Sequence, residues 1–337
     1  MKVYIKTTET CNLRCKHCYI GDNRGKKGFF DAGKAIRWLK AHIKRFGIKE
    51  EDLYISFHGG EPFLADLDEM QKVCDAFLKA SFDATSNLTM DIHRGIKDFI
   101  LKNFQQKGIG PFVKTSWDYS IRFATEAQER LWEQNVKDLI ADGVTVKVIT
   151  CLTKPLLDNV KPDEYLSLLR HLGVKHAGFE RLTANTTANK HLIPSIDRVD
   201  EWLLEVYRKN DFLEQGFFSD IAAACKHIFL GCRKRECMQN VLTINADGTI
   251  GGCPNSSIKD WFFDLDGNAN PELRQKLIQK EQTRDARCYM CDLFPECNGD
   301  CHQLSWLDGK CYVPKKLFRA IKSDMGHGTG FISEAWL

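Results

Sequence analysis

Cysteine placement constrains this chain more than any other feature. Cys11, Cys15 and Cys18 crowd the run Cys-Asn-Leu-Arg-Cys-Lys-His-Cys, and Cys232, Cys237, Cys253, Cys288, Cys291, Cys297, Cys301 and Cys311 crowd the last third. At 337 residues the chain is long enough to build a core without disulfides. The opening Met1-Lys2-Val3-Tyr4-Ile5-Lys6 is too short and too interrupted by charge to be an export signal. A cytoplasmic protein is therefore expected (host cytoplasm if viral), where disulfides do not persist. Thiols at such spacings then point to metal or cluster ligation. Cys74 and Cys151 lie alone in helical and strand-like runs and are expected as small core residues. Cys225, after three alanines, remains an alternative to Cys232.

A hydrophobic content of 43% and a charged content of 28% exclude a disordered or low-complexity chain. No apolar run reaches the roughly 18 residues a membrane span needs. A net charge of +3 gives no whole-molecule attraction to nucleic acid or anionic lipid.

Periodicity supplies the framework between the cysteine groups. Residues 2–6 alternate as a strand. Helices are predicted over Asp31–Arg45, Leu67–Leu78 and Ile96–Phe104, and strands over Leu53–Phe57 and Phe112–Trp117. Asn87 to Met90 reads as the end of a third strand. Leu131, Trp132, Val136, Leu139 and Ile140 share one helix face, which Gly143 ends. Val144 to Ile149 and Ala177 to Leu182 are further strands. Pro155 suits a helix start, and Ser195 is placed to cap a helix carrying Val199, Trp202, Leu203 and Val206. Strands alternating with helices demand a parallel sheet with right-handed crossovers. In parallel barrels the chemistry sits at the carboxyl ends of the strands, where the first cysteine group falls.

Three thiolates on a short loop can bind three irons of a cubane, whereas a closed zinc site takes four protein ligands. The Cys11-x3-Cys15-x2-Cys18 triad after a first strand, with the later Gly59-Gly60-Glu61-Pro62, resembles the radical S-adenosylmethionine (SAM) superfamily. The resemblance implies a 4Fe–4S cluster with one open iron, chelated by the amino and carboxylate groups of SAM. Reductive cleavage of SAM would give a 5′-deoxyadenosyl radical. Gly59 and Gly60 would approach the methionine amino group, and Glu61 would support that loop. Ser116 matches the ribose-facing residue of the fourth strand and Leu182 the adenine contact. Arg122 is the candidate for the SAM carboxylate, with Arg130 as competitor. His17 is either an adenine contact or a solvated loop histidine.

The C-terminal spacing resembles the SPASM domain, the twin-cluster extension of radical SAM enzymes. Cys237 is followed by Gly248 and Cys253, then by Cys288-x2-Cys291-x5-Cys297-x3-Cys301 and by Cys311. Val241 to Ile250 reads as a β-hairpin with an Asp247-Gly248 turn that brings Cys237 and Cys253 together. By analogy with the family, one cluster takes Cys232, Cys237, Cys253 and Cys301, and the other Cys288, Cys291, Cys297 and Cys311. The expected fold is α/β, a partial (β/α)6 radical SAM barrel with a C-terminal cysteine-rich SPASM domain. The expected divisions are residues 1–210 for the barrel, 211–231 as connector, 232–320 for SPASM and 321–337 as a tail.

The resemblance implies an oxidoreductase or isomerase holding three 4Fe–4S clusters and SAM, reduced by a donor such as flavodoxin or ferredoxin. SPASM enzymes mostly modify peptides or proteins, so hydrogen abstraction from a carbon of an amino-acid unit is expected. Sulfatase maturases carry an acidic residue after the second hairpin cysteine. Here Pro254 and Asn255 follow Cys253, which disfavours that reaction. The alternative is a radical isomerase acting on amino-acid adducts of thymidine in hypermodified viral DNA. For that reading, Arg233-Lys234-Arg235 and Lys315-Lys316 with Arg319 and Lys322 would meet phosphate. Otherwise they form a solvated face.

Overall fold

Alternation in the first residues becomes a strand because Val3 and Ile5 enter the core from one side. The computed structural model describes residues 1–326 apart from 22–24, 26–29, 107, 183–186, 305 and 307–308. Strand β1 (Lys2–Thr8) leads into the cysteine loop and then helix α1 (Ala32–Phe46). Asp31 caps α1 by accepting from the Lys34 amide, and Gly47 ends it at φ +63°, a conformation glycine adopts without strain. There follow β2 (Tyr54–Gly59), α2 (Leu67–Ala76), β3 (Ser81–Ala84), α3 (Ile96–Asn103), β4 (Gln105–Gln106) and β5 (Gly110–Ser116). Next come α4 (Glu126–Ala141), β6 (Thr145–Leu152), α5 (Lys154–Asn159), α6 (Pro162–Leu172), β7 (His176–Arg181) and α7 (Ile196–Lys209). The remainder comprises β8 (Gln215–Gly216), α8 (Phe217–Cys225), α9 (Cys237–Asn240), β9 (Val241–Ile244), β10 (Thr249–Gly251) and β11 (Trp261–Asp264). Helices α10 (Pro271–Gln282), α11 (Phe294–Cys297) and α12 (Lys315–Gly326) complete the described chain. Part of the expected tail is thus helix α12, and its residues 327–337 lie outside the described residues. Among the described residues no helix is long and apolar enough to cross a membrane.

The chain divides into two compact units, each discontinuous in sequence. The first contains Met1–Ser116, Arg122–Val146 and Glu236–Gln279, and the second Trp117–Ile121, Lys147–Arg235 and Lys280–Leu337. In the first, six strands run in the order β11-β10-β9-β1-β2-β3. Strand β1 lies parallel to β2, with Val3 opposite Ile55, and on its other edge parallel to β9, with Ile5 opposite Ile244. The late hairpin therefore completes the sheet that the first strand begins. On α4 the Trp132 ring is fully buried, and its indole N–H donates to Thr115 Oγ1 at 2.9 Å. Burying the ring stabilises the helix by about 3 kcal/mol, and the hydrogen bond avoids the cost of a stranded donor.

In the second unit β6, β7 and β8 are parallel neighbours. Tyr165, Phe179 and Trp202 pack ring against ring, and Trp202 Nε1 donates to the Val160 carbonyl at 2.9 Å. Helix α12 packs on α7 and α8.

Several local expectations shift. The third strand is Ser81–Ala84; Asn87 to Met90 is irregular, and Leu88 has φ +51°. Helix α2 stops at Ala76, leaving Leu78 exposed, and Leu131 of α4 is 39% exposed because the buried stripe is narrower than the apolar spacing. Ser195 stands at the start of α7 without a side-chain capping bond. The hairpin turn closes from the Gly248 amide to the Asn245 carbonyl at 2.9 Å. Ala246 and Asp247 are therefore its centre, and Gly248, at φ +87°, follows it.

Candidate active site

The cysteine loop is shaped by neutral donors. Cys11 Sγ accepts from the Leu13 amide at 3.4 Å and from Asn87 Nδ2 at 3.6 Å. The Cys15 thiol donates to the Arg122 carbonyl at 3.7 Å, and the Cys18 amide donates to the Cys15 carbonyl at 3.3 Å. Asn87 Nδ2 also donates to Asn12 Oδ1, and Asn12 Nδ2 donates to the Thr89 carbonyl. This explains why residues 87–90 leave the sheet: they wrap the cysteine loop. All three cysteines are partly accessible, and burial raises the Cys11 pKa.

The Gly-Gly-Glu-Pro segment lies against the residues leading into that loop. The Gly60 amide donates to the Thr8 carbonyl at 2.7 Å and the Glu61 amide to the Thr10 carbonyl at 2.8 Å. A Cβ on Gly60 would sit 2.1 Å from Thr10 O, and one on Gly59, at φ +140°, would sit 2.3 Å from Thr8 O. The glycines are thus required by the approach of the protein's own backbone. Glu61, fully buried, accepts from Asn87 N at 2.6 Å, Ser86 Oγ at 2.8 Å and Phe63 N at 3.2 Å. Burial raises its pKa to about 7, opposed by these hydrogen bonds and by the Arg122 charge.

The first unit also contains His17, Ser116 and Arg122, all half-buried. Arg130, by contrast, is exposed on α4 and paired with Glu126 at 3.0 Å, an ordinary solvated helix charge. Leu182 belongs to the second unit, where it packs with Ile121, Cys151 and Leu192.

Sequence reading missed Lys6, Tyr19 and His58. Lys6 is fully buried, and burial lowers its pKa to about 8. Tyr19, directly after Cys18, donates its hydroxyl to the Gly59 carbonyl at 3.2 Å and lies 3.0 Å from His58 Nδ1. A phenol has one proton, so that donation leaves His58 Nδ1 as donor to Tyr19. Burial lowers the His58 pKa to about 3, keeping the ring neutral. The position of Tyr19 beside a cysteine was the available signal; nothing in the alternation of β1 marks Lys6 as buried.

Later cysteines fall in both units. In the first, a Cβ on Gly252 would come 2.9 Å from the Cys237 carbonyl, so the backbone before Cys253 lies directly on the Cys237 segment. In the second, Cys288, Cys291, Cys297, Cys301 and Cys311 line one pocket. Burial pushes the Cys297 thiol up to about 12. Cys301 is in side-chain contact with Cys232, whereas Cys225 sits beside Glu296 and Lys322.

Arg181 spans this cysteine-rich segment, donating to the Tyr312 carbonyl at 2.6 Å and to Asp300 at 2.9 Å. Arg233 lies 3.8 Å from Asp300, and Arg235 donates to the Asp300 and Thr283 carbonyls. Arg233 and Arg235 are both buried, so they offer neither a solvated face nor a surface for phosphate. Lys316, Arg319 and Lys322 pair with Glu201, Asp292 and Glu296.

Among the described residues no three His, Cys, Asp or Glu side chains converge tightly enough to hold a single metal ion. The donors are thiols grouped by loop and by pocket. Soft, all-thiolate sets, one of them a triad on a short loop, suit iron–sulfur clusters.

No family model matches the sequence, and no curated protein matches it. Solved structures do match. Native anSMEcpe with bound AdoMet (S-adenosylmethionine) is 17% identical at a TM-score of 0.78, over 97% of this chain and 98% of that one. The same protein with AdoMet and Cp18Cys peptide is 15% identical at a TM-score of 0.68, over 97% and 98%. Streptococcus suis SuiB bound to precursor peptide SuiA is 14% identical at a TM-score of 0.63, over 94% of this chain and 75% of that one. Both neighbours are radical SAM enzymes with a SPASM domain, the first an anaerobic sulfatase maturase. The chain shares their mixed α/β fold over nearly its whole length.

Proposed function

We propose that this chain is a radical SAM enzyme that removes hydrogen from a carbon of an amino-acid unit within a peptide or protein. The observation that carries the proposal is the cysteine loop. It carries three thiols, that of Cys11 held by the Asn87 and Leu13 donors and that of Cys15 by the Arg122 carbonyl, beside a Gly59–Glu61 segment whose Glu61 is fixed by the Asn87 amide. When bound, the cluster and SAM supply a 5′-deoxyadenosyl radical. In this reading Cys11, Cys15 and Cys18 hold the SAM-binding cluster, and the partly accessible Arg122 and Ser116 meet the SAM carboxylate and ribose. His17 and Leu182 serve the adenine. Gly59 and Gly60 hold the loop close enough for its backbone to reach the methionine amino group.

For the auxiliary clusters, Cys288, Cys291, Cys297 and Cys311 form one ligand set, supported by their common pocket. Cys232, Cys237, Cys253 and Cys301 form the other on the strength of the spacing. The contact of Cys232 with Cys301 favours Cys232 over Cys225. The electron comes from a small reductant protein of flavodoxin or ferredoxin type.

A peptide substrate is favoured over DNA because Arg233 and Arg235 are buried and Lys316, Arg319 and Lys322 are already paired. The SuiA and Cp18Cys peptides bound by the two neighbours point the same way. Sulfatase maturation stays disfavoured, since Pro254 follows Cys253 and its carbonyl is taken by Lys6. The test is anaerobic turnover with SAM, reductant and candidate substrates deuterated at defined carbons, read by mass spectrometry of 5′-deoxyadenosine. Label arriving from a peptide supports the proposal; label arriving only from modified DNA overturns it.

A further inference from the structure

Lys6 has no exposed surface, yet among the described residues both groups that accept from its ammonium, the Pro254 carbonyl and the Ser257 hydroxyl at 3.0 Å each, are neutral. Ser257 gives its own proton to Asn245 Oδ1 at 2.9 Å, leaving a lone pair aimed at Lys6. Asn245 Nδ2 returns a bond to the Ser257 carbonyl at 3.0 Å, so the acceptor is itself fixed. A buried ammonium with only neutral partners is costly unless negative charge lies near it. The acidic groups that favour its charge are Glu9 first, then Cys253, Asp247 and Cys18, and the His58 ring also lies within reach of that charge. Two of its three contacts adjoin the two cysteines among these. Pro254 follows Cys253, and Tyr19, whose ring centroid is 5.0 Å from the ammonium, follows Cys18.

We infer that Lys6 is a positioning residue shared by the two cysteine segments of the first unit. It ties the loop after Cys253 to β1 and sets a positive charge beside the clusters that Cys18 and Cys253 would ligate. The inference rests on the cluster reading proposed above. Thiolate-ligated clusters carry net negative charge, and their potentials respond to nearby charge and hydrogen bonding. A fixed ammonium between two such segments favours the reduced form of each. Lysine suits the position because its compact charge fits between a carbonyl and a hydroxyl without the planar fork that arginine would bring.

The test uses the full chain reconstituted anaerobically, with iron content, midpoint potentials from EPR-monitored titration, and hydrogen exchange of residues 253–257. Lys6→Met should keep wild-type iron, shift the midpoint potentials to more negative values and speed exchange in that loop. Ser257→Ala, which keeps the charge, should speed exchange there and leave the potentials near wild type. Unchanged potentials and exchange in Lys6→Met overturn the inference. Should Lys6→Met fail to fold, unchanged exchange in Ser257→Ala overturns it instead. Loss of iron from both Lys6→Met and Lys6→Arg would reduce Lys6 to packing and also overturn it. A wild-type chain that takes up no iron fails the cluster reading itself, and that result is read before any variant is made.

Discussion

Arg181 and Asp300 form a buried ion pair, Nη2 to Oδ2 at 2.9 Å, that joins the end of β7 to the cysteine-rich segment. Arg181 also holds the carbonyl of Tyr312, so one guanidinium fixes residues next to Cys301 and to Cys311. Burial by itself would raise the Asp300 pKa, but Arg181 and Arg233 outweigh it and hold it below the usual carboxylate range.

Arg181→Met should therefore cost about 3–5 kcal/mol, because among the described residues it leaves the buried carboxylate with the Cys301 amide and, as its charged partner, the more distant Arg233. Denaturant titration with the slope fitted freely would show this as a lower midpoint at constant slope. The sign with pH follows from the depressed folded-state pKa. The Asp300 contribution is present above the unfolded value near 4 and is lost as the pH falls through the folded value. The gap between wild type and Asp300→Asn should narrow on acidification below about pH 4.

Gly60→Ala would drive a methyl into the Thr10 carbonyl, and the neighbour is backbone that cannot swing aside. A loss of about 1–3 kcal/mol is expected from overpacking. Iron bound by the cysteine loop should fall with it. Normal iron content and melting temperature in this variant would show that the loop tolerates displacement.

Cys232→Ala and Cys225→Ala separate the two candidates for the eighth auxiliary ligand. The contact between Cys232 and Cys301 predicts that Cys232→Ala loses up to about four irons, one cluster's worth, while Cys225→Ala keeps them. Iron and sulfide assays on the reconstituted variants check this directly, and the reverse pattern would reassign the ligand to α8.

Glu61 supplies a pH signature of the opposite sign to Asp300. Its folded-state pKa, raised to about 7, lies above the ordinary value, so the folded chain binds the proton more tightly. Its contribution to stability is full below the unfolded pKa near 4.3 and declines as the pH rises toward 7. Glu61→Gln should flatten the stability profile between about pH 4.5 and 7, as measured by melting temperature across that range.

Much of this was legible in the residues. The cysteine triad, the hairpin before Cys253 and the alternation of strands with helices are local patterns, set by ligand spacing and by periods of two and 3.6 residues. Asn87 shows where that reading ends. Its run reads as a strand, but the side chain bonds Cys11, and a contact between residues so far apart leaves no periodic trace. The basic run at Arg233 misleads for the same reason. Charge in sequence suggests solvent, while Asp300 and the backbone carbonyls around it draw Arg233 and Arg235 inside.

The sequence by itself determined the cysteine spacing, the βα alternation and the family resemblance, because each rests on residues near one another in the chain. Only the tertiary structure decided that β9 completes the sheet beside β1. It also decided that Lys6 is buried against Pro254 and Ser257, and that Arg181 clamps the cysteine-rich segment. These depend on which strand edges and loops meet in space, and a buried charge is tolerated only where its partners have been brought to it.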